Sequence, residues 1–137
     1  MHTGQAIVKM LVDYGVKAVF GVPGVQTLPL YEGIHDLAPE IEHVLLRTEE
    51  AASFAAVGYA AVSWKPGVCD ATVGPGALRL PPGVAEAYNA SIPVIAFISD
   101  IPLNWLPTKT ERGAASQAVR QLEVFKAFTK WQALVVS

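Results

Sequence analysis

Two adjacent carboxylates, Glu49 and Glu50, stand where a short apolar run gives way to a stretch almost free of charge. From residue 51 to residue 62 the only clearly polar side chains are Ser53 and the Tyr59 hydroxyl. Such a stretch is a helix apolar all round, expected to be buried on all faces. Its alanines and Gly58 are expected to let a second helix approach closely. A carboxylate at the start of that helix gains from the helix dipole, which is a purely structural role. Held in a dry site, the same carboxylate is a candidate proton donor or acceptor, because desolvation raises its pKa. Residue type alone leaves both readings open.

Two glycine loops come next, Gly21-Val-Pro-Gly24 and Gly74-Pro-Gly76. Neither has the Gly-x-Gly-x-x-Gly spacing, and no Gly-Lys-Ser/Thr follows, so a phosphate-cradling loop is unsupported. They serve either as tight strand-to-helix turns or as places where backbone approaches a ligand closely. His2, His35 and His43 share no metal-ligand spacing, and surface or strand-edge roles are expected. The lone Cys69 excludes an internal disulfide and a cysteine metal cluster. It lies mid-strand, as a buried inert thiol would. Ser116-Gln117 sits in an irregular, glycine-preceded stretch, and nothing suggests a Ser-His-Asp arrangement. No residue is read as a metal ligand.

The elements that position these residues alternate. Ala6, Ile7, Met10, Leu11 and Val12 recur at helical spacing, and Gly15 ends the run as a C-terminal cap would. Strands are predicted at residues 17–20, 41–46, 68–73, 93–99 and 131–136. Helices are predicted at residues 28–37, 50–64, 83–91 and 117–128, with Pro29 tolerated in a first turn. Residues 100–115 read as a loop. Apolar, non-alternating strands separated by helices point to a doubly wound parallel α/β sheet with helices on both faces, a flavodoxin-like three-layer fold. Ligands in such sheets bind beyond the carboxyl ends of the strands. Loops 21–24, 47–50 and 74–76 all fall there.

Composition narrows the function. The 137 residues carry 10 basic and 12 acidic side chains, with 52 % apolar and 16 % charged residues. That length suits one domain spanning residues 1–137. The balance excludes nucleic acid as the main partner, and disorder as the main state. No apolar stretch reaches the ~18 residues of a membrane helix, and no signal peptide is read at the N-terminus. A cytoplasmic setting is expected. Residues 1–108 hold 5 basic and 10 acidic side chains, and residues 109–137 hold 5 and 2; the basic excess at the end reads as a solvated face. The apolar excess suggests surface buried twice, in a core and against a partner.

The motifs in order are Phe20-Gly-Val-Pro-Gly24, Arg47-Thr-Glu-Glu-Ala-Ala52, Gly58-Tyr-Ala60 and Gly74-Pro-Gly-Ala77. Ala85-Glu-Ala-Tyr88, Ser91-Ile-Pro-Val-Ile95 and Thr129-Lys-Trp131 follow. Together they resemble the N-terminal pyrimidine-binding domain of thiamine-diphosphate enzymes, within the acetolactate synthase and 2-keto-acid decarboxylase group. The resemblance implies the doubly wound sheet already read. It implies that Glu49 hydrogen-bonds the pyrimidine ring nitrogen and favours the imino tautomer. It places Val22, Pro23, Gly24, Thr72, Gly74, Pro75 and Gly76 beside the cofactor and Gln117 on the substrate side. It also implies a homodimer, with a pyrophosphate-binding domain or subunit as partner, and magnesium supplied from there.

Several positions depart from the family pattern. Thr48 replaces a histidine, Arg79 an asparagine and Ser116 a phenylalanine. Pro81-Pro82 is expected to cut into the helix that follows the second glycine loop. The family's Gly-Asp-Gly to Asn-Asn segment, which holds magnesium and diphosphate, is not in these residues, and the family domain continues past Trp131 with a further helix and strand. The expected function is therefore the pyrimidine-binding part of a carbon–carbon lyase or ligase acting on 2-keto acids, inactive alone. The alternatives are a non-catalytic assembly module with the same fold and an unrelated nucleotide or flavin binder.

Overall fold

The computed structural model describes residues 1–102 and 115–136. Helix α1 (Thr3–Asp13) is capped by His2, whose ring accepts from the Gln5 amide, and buries Val8 and Leu11. Gly15, at φ +78°, supplies the left-handed turn that ends it. Strand β1 (Ala18–Gly21), α2 (Leu28–Asp36) and β2 (Glu42–Leu45) follow. Then come α3 (Glu49–Ser63), β3 (Gly67–Ala71), α4 (Pro81–Asn89) and β4 (Val94–Ile98). A short helix, Gln121–Phe125, runs into a 3-10 turn, Lys126–Phe128.

The four strands are parallel in the order β2-β1-β3-β4. The chain leaves β1 toward one edge and returns through α3 to the other side of β1. The order therefore reverses between β1 and β3, and their carboxyl ends flank the crevice where such sheets bind ligands. Residues along β1, β3 and β4 alternate between two cores. Val19 and Val68 pack with Val8, Leu11, Leu30 and Ile34 under α1 and α2. Phe20 and Cys69 pack with Ala52, Ala56, Leu80 and Val84 under α3 and α4.

Close packing on the second face depends on glycine. A methyl on Gly67 would overlap the Ala56 carbonyl of α3, and one on Gly83 would overlap the Ser53 hydroxyl. Within the chain the close helix contact of α3 is made by Ser53 against Gly83, and among the described residues nothing lies within 4 Å of a methyl on Gly58. Nor is α3 buried all round: Phe54 is 46 % and Val62 79 % exposed. Among the described residues, its faces toward the sheet and α4 are covered.

Three further expectations are corrected. Pro81 and Pro82 do not cut a helix; they begin α4, where their missing amides lose nothing, after a 3-10 turn at Ala77–Arg79. The helix expected over residues 117–128 is confined to Gln121–Phe125, since Gln117 at φ +62° and Arg120 at ψ 71° are not helical and a 3-10 turn follows. Residues 131–136 form no strand; Trp131, Leu134, Val135 and Val136 are exposed, with no paired neighbour to exploit their β-propensity. Most of the loop expected at residues 100–115, namely 103–114, lies outside the described residues.

Candidate functional site

The site is built on α3. Thr48, extended at φ −147°, accepts a hydrogen bond from the Ala51 amide at 3.2 Å and so starts the helix. Thr48, whose type departs from the expected pattern, thus supplies the cap. Glu49 and Glu50 occupy the first turn, and successive helical residues point roughly 100° apart. Glu49 is buried and Glu50 exposed.

Glu49 reaches the loop after β3. A methyl on Gly76 would lie 3.0 Å from Glu49 Oε1 and 2.9 Å from Thr72 Cγ2. On the other carboxylate oxygen, Arg79 Nε lies 3.6 Å from Oε2. Thr72 in turn touches the loop after β1: a methyl on Gly24 would overlap its Cβ and Oγ1. The Thr72 hydroxyl donates to Gln26 Oε1 at 2.9 Å. Gly24, Thr72, Gly76 and Glu49 are therefore one contiguous rim at the β1/β3 crevice. Val22 and Pro23 lie in the loop after β1 and Pro75 is exposed at the loop tip.

Gln117 lies against the second glycine loop. Its carbonyl packs on Gly74, which needs its φ of +63° and would overlap that carbonyl if it carried a methyl. The residue that pins this loop is Gln121, absent from the sequence reading. It is buried, accepts from the Gly74 amide at 2.9 Å and donates to the Ser99 carbonyl at 2.9 Å. No local signal marks it, because both partners are more than 20 residues away.

A second polar cluster also escaped the sequence. Asp70 is fully buried at the end of β3. Tyr31 of α2 donates to its Oδ2 at 2.9 Å. His43 Nε2 lies 2.7 Å from the Tyr31 oxygen and 3.4 Å from Asp70 Oδ1. Gly21 makes room, since a methyl there would overlap Oδ1. His43 does sit on an edge strand, as expected, but its ring points inward to this cluster. Burial first, and the Asp70 charge second, raise the Tyr31 hydroxyl above the usual tyrosine range. The same causes push the Cys69 thiol up to about 12.

The folded chain therefore keeps two protons that the unfolded chain releases above roughly pH 9–10. Stability from these groups is full below roughly pH 9 and is lost as pH rises toward 12. The unfolding temperature should fall between about pH 9 and 11, and fall less in Cys69→Ala, which removes one of the two groups. An equal alkaline slope in both proteins contradicts this assignment.

Known proteins bear on what the rim is for. The family model for the thiamine pyrophosphate enzyme, N-terminal TPP binding domain, matches residues 1–124. The chain is 40 % identical over 137 residues to the acetolactate synthase isozyme 2 large subunit of Escherichia coli, covering all of this chain and 24 % of that protein. It is 42 % identical over 130 residues to a probable acetolactate synthase large subunit of Methanocaldococcus jannaschii, covering 95 % of this chain and 21 % of that one. A probable 2-ketoarginine decarboxylase of Pseudomonas aeruginosa is 48 % identical over 99 residues, 72 % of this chain and 17 % of that protein. The chain spans about a fifth of the length of these relatives. With a parallel sheet reversing between β1 and β3 and a match over nearly its whole length, the chain belongs to the thiamine pyrophosphate enzyme N-terminal, TPP-binding domain family.

Proposed function

We propose that residues 1–137 are one pyrimidine-binding domain of a thiamine-diphosphate-dependent carbon–carbon lyase or ligase acting on 2-keto acids, and that Glu49 is its proton-handling group. The observation that carries this reading is the burial of Glu49, against the exposure of Glu50, on the rim between the two glycine loops. The residues fit the pyrimidine end of the cofactor. The Glu49 side chain is 12 % exposed at the crevice, so it is largely dry yet reachable. Glycine at 24 and 76 removes side chains that would fill the rim.

Thiamine diphosphate, when bound, supplies the carbon nucleophile and the electron sink. Glu49 would hold a proton at the pyrimidine ring nitrogen, and the first turn of α3 fixes its direction. Gln121 would keep loop 74–76 in register with Glu49 through the Gly74 amide. Val22, Pro23, Gly24, Thr72, Gly74, Pro75 and Gly76 would line the ring, with Gln117 on the substrate side. Magnesium and the diphosphate would be held by a pyrophosphate-binding domain or subunit outside these residues. The names of the relatives, acetolactate synthase and 2-ketoarginine decarboxylase, support the 2-keto-acid class.

The isolated 137-residue chain, given pyruvate, thiamine diphosphate and magnesium, should release no carbon dioxide above background. Robust turnover by this chain alone would sink the assignment of the diphosphate site to a partner.

A homodimer belongs to the same reading. The uncovered face of α3, with Phe54 and Val62, is apolar surface that a second subunit would cover. Sedimentation at high micromolar concentration should show a dimer in the parent and a monomer in Val62→Asp; monomer alone in the parent counts against it. No helix among the described residues is long and apolar enough to cross a membrane, and a cytoplasmic location is part of the proposal.

A further inference from the structure

We propose that Arg79 is a built-in counter-ion of Glu49, one that must leave the carboxylate before a pyrimidine ring can engage it. The proposal rests on the reading that Glu49 is the pyrimidine partner. Its own basis is that the two carboxylate oxygens face successive parts of one segment, Gly76 of the glycine loop and Arg79 of the turn that follows it. The 3-10 turn Ala77–Arg79 is tied to loop 74–76 by the Leu78 amide on the Gly74 carbonyl at 2.9 Å and the Arg79 amide on the Gly76 carbonyl at 3.0 Å. Oε1 of Glu49 rests against Gly76, and Oε2 faces the Arg79 guanidinium at 3.6 Å. Among the described residues Arg79 is the one cation within ion-pair distance of Glu49.

A carboxylate withdrawn from water needs a counter-charge or hydrogen-bond donors. Arg79 meets that need while no ring is present. A ring nitrogen that shares a proton with Glu49 makes a claim on the same oxygens. The two partners differ in mobility: the Glu49 side chain is 12 % exposed and held by the helix, whereas that of Arg79 is 54 % exposed on a long flexible stem. Binding therefore proceeds by Arg79 swinging to solvent, and breaking the pair subtracts from cofactor affinity. A half-exposed ion pair is weak, so the subtraction is modest and sensitive to salt.

The test titrates thiamine diphosphate with magnesium into the assembled enzyme and its Arg79→Gln, Arg79→Lys and Glu49→Gln forms, following tryptophan fluorescence rather than turnover. Arg79→Gln should bind about two- to fivefold tighter than the parent, the span a half-exposed pair allows. Arg79→Lys, which keeps the charge, should stay near the parent. The gap between parent and Arg79→Gln should narrow at high salt. In a Glu49→Gln background, Arg79→Gln should change nothing. A side chain that merely packed would weaken binding when removed, so unchanged or weaker binding in Arg79→Gln overturns the counter-ion role. If Arg79→Gln fails in this way while Glu49→Gln still weakens binding, the pyrimidine reading stands and only this inference falls. Equal affinity of Glu49→Gln and the parent overturns both.

Discussion

Replacing Glu49 by Gln should lower turnover of the assembled enzyme by on the order of 10²–10⁴, the span expected for a positioned general acid–base group. Glutamine keeps the shape of the side chain and its place on the first turn of α3, but it cannot share a proton with a ring nitrogen. Glu50→Gln should cost far less, because Glu50 is exposed on another face of the same turn. The pair is a matched control: both substitutions remove one charge from the same helix N-terminus, so any loss of dipole stabilisation is common to both. A similar loss in the two variants would mean that the charge, rather than the position of Glu49, matters.

The second large effect is on stability. Gly67→Val should destabilise the fold by about 3 kcal/mol, at the upper end of what overpacking costs. The first atom of any side chain there would overlap the Ala56 carbonyl, which belongs to the backbone of α3 and cannot step aside by changing rotamer. The α3–β3 contact would have to open, and with it the alignment of Glu49 on the rim. Gly58→Ala supplies the contrast. Among the described residues nothing lies within 4 Å of the added methyl, so the chain gains helix propensity and should be stabilised by about 0.5–1 kcal/mol. Chemical denaturation of both variants reads the difference directly, and a Gly67→Val protein as stable as the parent contradicts the packing described.

The helix and strand alternation was legible because its signals are local. Gly15 stopped α1, Pro29 fell in a first turn, and the apolar runs of β1 and β3 read as buried strands. The placement of Glu49 was legible for the same reason: it sits where one element ends and the next begins, while the role proposed for it comes from the family resemblance. The Asp70–Tyr31–His43 cluster was not, because residues 31, 43 and 70 meet only after two crossovers bring α2, β2 and β3 together. Gln121 was missed likewise, since its role is set by Gly74 and Ser99. Pro81-Pro82 misled because proline breaks a helix interior but suits a helix start, and only the preceding 3-10 turn decides which applies.

The most direct test of the account is hydrogen–deuterium exchange at the thiazolium carbon of thiamine diphosphate bound to the assembled enzyme, compared for the parent, Glu49→Gln and Glu50→Gln. Exchange reports proton control alone, free of substrate binding and product release. The account predicts exchange slowed by on the order of 10²-fold or more in Glu49→Gln and near the parent rate in Glu50→Gln. Equal exchange in Glu49→Gln and the parent would contradict it.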